Sequence, residues 1–255
     1  MKKNGKMASL AFDRGQSPTI ACFNRATTPL GVDFGKLIGT LQKFLDRCVV
    51  PVWGTPARLV RSTGFVKGAW AMVFLDRADR KNALAHHDLT PDGLPISKIF
   101  VQRILRFGES VSVAASHELV EMLVDPANNL YSTGRKRKLL YAYEVADPVQ
   151  GEPRFKLNGI FMTNFVYPAY FEVFHKRGST RFDYLKKVRE PFQVLSGGYQ
   201  TVLKDGKKGK LFGPGAMSVR FKRAYRPGRR DTFRGHRHGA GCRAPSQWGK
   251  ILKRY

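Results

Sequence analysis

The segment SHELVEMLVDP, at residues 116–126, combines residue types and spacings that suit metal chemistry. His117 and Glu121 lie four residues apart, so on a helix their side chains share one face. An imidazole nitrogen and a carboxylate oxygen placed in this way can hold one Zn²⁺ ion at about 2.0–2.2 Å. Glu118 follows His117 directly, where a carboxylate can act as a general base toward an attacking water. The spacing therefore predicts a metal site with Glu118 as its catalytic group.

A third metal ligand is expected downstream, in the segment YAYEVADP at residues 141–148. Glu144 and Asp147 lie three residues apart, and either can turn a carboxylate toward the helix. Carboxylates are otherwise sparse in this basic chain, so their concentration here indicates a bound cation, either a metal or the basic run 135–138. Zinc is the predicted cofactor. An oxygen-rich set of ligands also suits calcium or manganese.

Two other interpretations of the histidines stay open. The helix could be an amphipathic one, on which His117 and the glutamates form ordinary surface pairs. His86 and His87 lie in HHDLTPDGLP, a stretch rich in turn residues, where we expect exposed or capping histidines rather than ligands.

The elements that must position these residues can be read from hydrophobic periodicity. Strands are predicted at 19–24, 57–62 and 69–76, the last of them apolar enough to be central, and a strand pattern returns at 96–107. A helix is predicted over 34–48, capped by Asp33 and ended by Pro51. A second helix is predicted over 113–125, with Ser112 as its N-cap and Pro126 as its stop. The segments 86–95 and 127–143 are expected to be turns and loops. This order favours an α+β fold over regular βαβ alternation.

The charge is strongly basic, because 45 Lys and Arg residues face 19 Asp and Glu residues, for a net charge of +26. Such a chain is drawn to polyanions. Residues 201–255 hold 16 Lys and Arg residues against Asp205 and Asp231. We therefore expect three regions: a flexible N-terminus at 1–18, a folded domain at 19–212 and a largely irregular basic tail at 213–255. The tail is expected to bind DNA or RNA without sequence preference, or an acidic protein.

The composition also bears on location. The 3 cysteines are far apart and form no C-x-x-C pair, which favours a reducing compartment over a disulfide scaffold. The N-terminus is basic but lacks the apolar core of a signal peptide, and no apolar run is long enough to span a membrane. The predicted location is therefore cytoplasmic or in a virion, with no membrane association.

The helix motif and the segment after it resemble a known family. SHELVEMLVDP followed by YAYEVADP is similar to a zincin-type signature found in uncharacterised metallopeptidases of bacteria and their phages, with Glu121 at the position of the second histidine of H-E-x-x-H. The resemblance covers about residues 19–175. It implies a zincin-like mixed sheet with a long N-terminal helix, a helix carrying the metal motif, and an edge strand that receives an extended substrate.

The sequence leaves three functions open. The first is a metal-dependent hydrolase, most simply a peptidase, in which His117, Glu121 and either Glu144 or Asp147 hold the ion and Glu118 moves the proton. The second is a structural component of a phage virion or nucleoprotein assembly that keeps the zincin-like fold. The third is a nucleic-acid-binding protein whose acidic cluster is structural.

Overall fold

A computed structural model describes residues 17–80, 83–134, 139–151 and 154–214. The chain is mixed α+β, with several sheets and few helices, as the sequence predicted. The basic run 135–138, nearly all of the N-terminal segment 1–18 and all but the first two residues of the tail 213–255 lie outside the described residues.

The largest sheet has five strands and lies under the helix that carries the metal motif. From one edge to the other its strands are β2 (Arg58–Arg61), β1 (Thr19–Asn24), β3 (Trp70–Leu75), β5 (Pro95–Phe100) and β4 (Ala85–Leu89). The first four run parallel to one another, and β4 runs antiparallel to β5. The predictions of strands at 19–24, 57–62 and 69–76 are confirmed, as is the central place of the third.

Strand β4 shows that the expectation of turns over residues 86–95 is wrong in part, because Ala85–Leu89 form a strand. The sequence AHHDL lacks the apolar alternation that marks a half-buried strand. It is an edge strand paired with β5 alone among the described strands, so its polar side chains suit the position. The turn residues of this stretch are confined to the link between β4 and β5.

The sheet is buried on both faces, which explains the continuous apolar run of β3. Trp70, Met72 and Phe74 point into the main core, which also contains the apolar sides of the helices. The intervening residues of β3 point to a smaller core on the opposite face, together with Phe23 and Phe100. This alternation is the period of two that a strand imposes on its side chains.

The predicted start of the N-terminal helix is confirmed, but its predicted end is wrong. Helix α1 (Phe34–Phe44) is capped by Asp33, whose Oδ1 accepts a hydrogen bond from the Lys36 backbone N–H at 2.7 Å. It continues through a π-helical turn (Leu45–Val49) into α2 (Val50–Trp53), so Pro51 does not end it. The wider π-helical turn shifts the local hydrogen bonding and accommodates a proline that donates none. The helix ends instead at Gly54, whose φ of 65° is the left-handed conformation that glycine adopts easily.

The next two helices follow β5. Residues 96–107 were predicted as one strand, but the chain turns after Phe100 into helix α3 (Val101–Arg106). Helix α4 (Val111–Val124) carries the metal motif and begins two residues before the predicted position. Ser112 is therefore not its N-cap, and its hydroxyl instead donates a hydrogen bond to the Phe161 carbonyl at 2.8 Å. No helix in the described parts of the chain is long and apolar enough to cross a membrane.

The remaining strands form two smaller sheets that follow α4 in the chain. One is antiparallel, in the order β11 (Lys207–Phe212), β10 (Tyr199–Lys204), β7 (Leu139–Ala142) and β6 (Tyr131–Thr133). The other is a hairpin of β8 (Arg154–Leu157) and β9 (Ile160–Thr163). The expectation of a loop over 127–143 is therefore wrong in part, because β6 and β7 are short strands within it.

Candidate metal centre

Helix α4 is a buried helix, and this fixes the surroundings of the metal motif. Ten of its fourteen residues are buried, among them Leu119, Glu118 and Glu121. The helix packs on β4, β5 and β9, so only a narrow part of its surface reaches solvent. The interpretation of the motif as ordinary surface pairs is therefore wrong. Truncating Leu119, which is fully buried, to alanine would cost about 2–5 kcal/mol of stability.

His117 lies between two carboxylates, as the sequence predicted. Its Nε2 atom is 3.2 Å from Oε2 of Glu121, one turn further along α4, and 3.3 Å from Oδ1 of Asp147. The three groups each offer a ligand atom within 4.8 Å of the other two. Ligands that surround a metal tetrahedrally at 2.0–2.2 Å lie about 3.3–3.6 Å apart, so both measured distances are close to the edge of such a tetrahedron.

Glu121 also holds the loop that brings Asp147 to the helix. Its Oε1 accepts hydrogen bonds from the backbone N–H groups of Ala146 (3.1 Å) and Asp147 (3.2 Å). Asp147 begins a short 3₁₀ turn (Asp147–Val149), and the carbonyl of Pro148 accepts a hydrogen bond from the Leu195 backbone N–H. The loop is therefore tied both to α4 and to the segment that precedes β10.

His87 belongs to the same cluster, which corrects the expectation of an exposed or capping histidine. It lies in the middle of β4 and is only 3% exposed. Its Nδ1 is 3.4 Å from Oε2 of Glu118, and its Nε2 is 3.1 Å from the carbonyl oxygen of Asp125. His86, on the other side of the strand, pairs with Asp79 at 2.9 Å and lies apart from the site.

Glu144 is the second downstream carboxylate, and it joins a different group of donors. Glu144, His87 and Glu121 each offer a ligand atom within 4.8 Å of the other two. Asp147 is thus grouped with His117, Glu144 is grouped with His87, and Glu121 belongs to both groups. Asp125 has a structural role, because its carboxylate accepts the backbone N–H groups of Asn129 and Leu130 at 2.9 Å each.

The carboxylates shift the pKa values of both histidines upward. Burial alone would lower the pKa of His117, but the charge of Glu121 and the hydrogen bond to Asp147 raise it well above its usual value. Burial likewise opposes the charged form of His87, yet the hydrogen bond to Glu118 and the charge of Glu144 raise its pKa to about 10. Both imidazoles thus lie in a field that favours positive charge.

Among the carboxyl groups, the shifts depend on the partner. Burial and the charge of Glu121 raise the pKa of Glu144 well above its usual value, and they raise that of Asp147 to about 6. Burial also opposes ionisation of Glu121, but the charge and hydrogen bond of His117 lower its pKa overall. Negative charge is therefore crowded here, and a cation would relieve the repulsion.

The β10–β11 hairpin supplies two further neighbours that sequence reasoning missed. The pKa of Tyr199 is raised well above its usual value, first by burial and then by the charges of Asp147 and Glu121. A hydrogen bond between Tyr199 and Asp147 raises it further. Lys210 lies over the Tyr199 ring, with Nζ 3.4 Å from the ring centroid. Burial lowers the pKa of Lys210, against the opposing charge of Asp147. No local motif marks these residues, because the sheet brings them in from far along the chain.

Comparisons with protein-family models, with curated proteins and with solved structures found no significant match. The resemblance to zincins therefore stays a prediction. It rests on the residues of the two motifs.

Proposed function

We propose that this chain is a metal-dependent hydrolase, most simply a zincin-type peptidase or a degenerate relative of one. The observation that carries the proposal is the placing of His117 Nε2 at 3.2 Å and 3.3 Å from carboxylate oxygens of Glu121 and Asp147. Two elements separated in sequence thus direct one nitrogen and two oxygens toward a common point, next to Glu118 as the candidate general base.

The donor set fits a divalent metal. One imidazole and two carboxylates are ligands that zinc accepts, and their oxygens also suit manganese or calcium. A divalent cation held by His117, Glu121 and Asp147 would supply a Lewis acid that polarises a carbonyl group. The hydrogen bonds of Glu121 to the backbone at residues 146 and 147 support the fit, because they hold the ligands in place before the ion arrives.

Glu118 is the proton carrier in this proposal. Its carboxylate is buried at the next position after His117, and its Oε2 contacts Nδ1 of His87. A buried carboxylate can take a proton from water as the water attacks, and can return it to the leaving amine. His87 holds Glu118 in position and balances its charge.

A peptide substrate is favoured by the outer edge of β4. This strand pairs with β5 on one side, and among the described strands none pairs with its other side. An extended peptide can add to such an edge through backbone hydrogen bonds. Because His87 lies in the middle of β4 and contacts Glu118, a peptide bound there would pass beside the candidate site.

The alternative is a structural component of a phage virion or nucleoprotein assembly. A protonated His117 could form a permanent ion pair with Glu121 and Asp147 at the distances observed, since the carboxylates favour its charged form. The net charge of +26 would then serve to hold a polyanion or acidic partner proteins.

Metal content and hydrolysis, measured on matched variants, separate these functions. His117→Gln should bind less metal than the wild type, whereas His175→Gln should bind as much as the wild type. His175 is the matched control because it also pairs with a carboxylate, that of Glu172 at 2.7 Å, but no second acidic group joins them in the described structure. Elemental analysis of protein purified without added metal provides the measurement.

Glu118→Gln should keep the metal and lose hydrolysis of a peptide library by about 10²–10⁴-fold, because only the proton carrier is removed. Glu109→Gln is its control, since Glu109 pairs with Arg154 away from the site. Equal metal content in the His117 and His175 variants, or equal activity in the Glu118 and Glu109 variants, would favour the structural alternative.

A further inference from the structure

We propose that His87, Glu121 and Glu144 form a second cation site beside the first, and that Glu121 bridges the two. This inference rests on the proposed function, because it takes the His117, Glu121 and Asp147 site as the first position. The ligand is a divalent transition-metal ion of the kind that accepts one imidazole and two carboxylates, such as manganese or zinc. The centre would then be dinuclear.

The orientation of His87 supports this site. Its Nε2 lies 3.1 Å from the Asp125 carbonyl oxygen, which can only accept a hydrogen bond, so Nε2 carries the proton. A histidine that binds a metal usually donates its other N–H to a carbonyl or carboxylate in this way. The remaining nitrogen, Nδ1, is directed at the carboxylates, 3.4 Å from Oε2 of Glu118. In the metal-free protein a proton on Nδ1 pairs with Glu118 at that distance, and a metal ion would take the place of that proton.

Glu144 provides an independent indication of a ligand. It is only 8% exposed, so its carboxyl group has given up nearly all of its contact with water. Burial and the charges of Glu121 and Asp147 oppose the ionised form of Glu144, and the charge of His87 only partly offsets them. Its oxygen lies within 4.8 Å of ligand atoms of both His87 and Glu121. A cation at this point would relieve the repulsion among these carboxylates.

Glu121 connects the two positions because it belongs to both groups of donors. Ions in dinuclear hydrolases lie about 3.5–4 Å apart and often share a carboxylate. The histidines divide evenly, with His117 from α4 in one group and His87 from β4 in the other. Each position then has one nitrogen and at least two carboxylate oxygens, and each is assembled from separate elements of the chain.

Titration with Mn²⁺ tests this arrangement on the full-length protein after chelator treatment. Electron paramagnetic resonance measures both the free ion and the coupling between bound ions. We expect two ions per chain with a spin-coupled signal in the wild type, and one uncoupled ion in Glu144→Gln and in His87→Gln. His86→Gln is the matched control on the same strand and should keep both coupled ions. A spin-coupled signal also distinguishes two neighbouring ions from an ion that is bound elsewhere by the 213–255 tail.

Each outcome decides between the two proposals. A single uncoupled ion in the wild type that is lost in His117→Gln would overturn the second site and leave the proposed function standing. Absence of bound metal in the wild type would overturn both. Two coupled ions in Glu144→Gln and His87→Gln would overturn this choice of ligands. Glu144→Gln is nearly isosteric and removes a buried charge, so it decides the question even if His87→Gln does not fold, as circular dichroism would reveal.

Discussion

Glu121 contacts the side chain of His117 with one carboxylate oxygen and the backbone of Asp147 with the other. The distances are 3.2 Å from Oε2 to His117 Nε2 and 3.2 Å from Oε1 to the Asp147 nitrogen. One residue of α4 thus serves as a candidate ligand and also fixes the backbone that presents another. The motif on the helix and the motif on the loop are therefore one structural unit.

This double role predicts different effects for two substitutions of Glu121. Glu121→Gln keeps an oxygen that can accept the backbone N–H groups but removes the charge, so metal affinity should fall by about 10–100-fold or more while the fold is kept. Glu121→Ala should also destabilise the loop and lower the midpoint of thermal unfolding. Competition with a chromophoric chelator and thermal unfolding provide the two measurements. Unchanged affinity in Glu121→Gln would show that Glu121 is only a loop anchor.

The stability of the metal-free protein should fall as the pH rises above neutrality. The pKa of His87 is raised from 6.5 to about 10 by its carboxylate neighbours, so the native state holds a proton that the unfolded state releases earlier. The contribution of His87 is complete below pH 6.5 and is lost as the pH approaches 10. Denaturant unfolding at several pH values, with chelator present, measures this slope. His87→Gln should flatten it, and a flat profile in the wild type would contradict the assigned contacts.

Strand β4 offers a test of the peptide-binding edge. The Phe100 backbone N–H donates to the Leu84 carbonyl, so the next pair, Ala85 with Ile99, is a non-hydrogen-bonded pair whose backbone groups point away from the partner strand. Ala85→Pro would remove an N–H from the outer edge without removing one from the sheet. We expect a lower kcat/KM for peptides with unchanged metal content. Unchanged kcat/KM would show that substrates bind elsewhere.

The basic tail predicts how the chain binds polyanions. Ending the chain at Pro214 removes 12 Lys and Arg residues and Asp231, but keeps Gly213, whose N–H donates to the Gly198 carbonyl at 3.0 Å. Affinity for DNA or RNA should fall, and its dependence on salt should flatten, because fewer counterions are released. Binding at two salt concentrations, with circular dichroism to monitor folding, tests this. Equal affinity would assign binding to the basic surface of residues 19–212.

Much of the sheet and the main donor set could be predicted from the sequence. Strand β3 is an unbroken apolar run, and the spacing of His117 and Glu121 places them on one face of any helix. The approach of Glu144 or Asp147 to the helix was also expected, because acids are sparse elsewhere in this chain.

The parts that were missed depend on contacts between distant segments. His87 lies on a polar edge strand whose composition resembles a turn, and its role appears only when α4 packs against it. Tyr199 reaches the site from a hairpin some 80 residues after the motif, and no local pattern marks it. The short apolar run after Phe100 fits the period of a strand as well as that of a helix, so periodicity alone could not place α3.

Anomalous diffraction from crystals of the full-length protein containing zinc tests the central claim most directly, because it locates the ion without reference to activity. We expect an anomalous peak about 2.0–2.2 Å from His117 Nε2 and from carboxylate oxygens of Glu121 and Asp147. The peak should disappear in His117→Gln and persist in His175→Gln. Ordered side chains at His117, Glu121 and Asp147 with no peak between them, at a zinc concentration that fills other sites, would contradict the proposed metal centre.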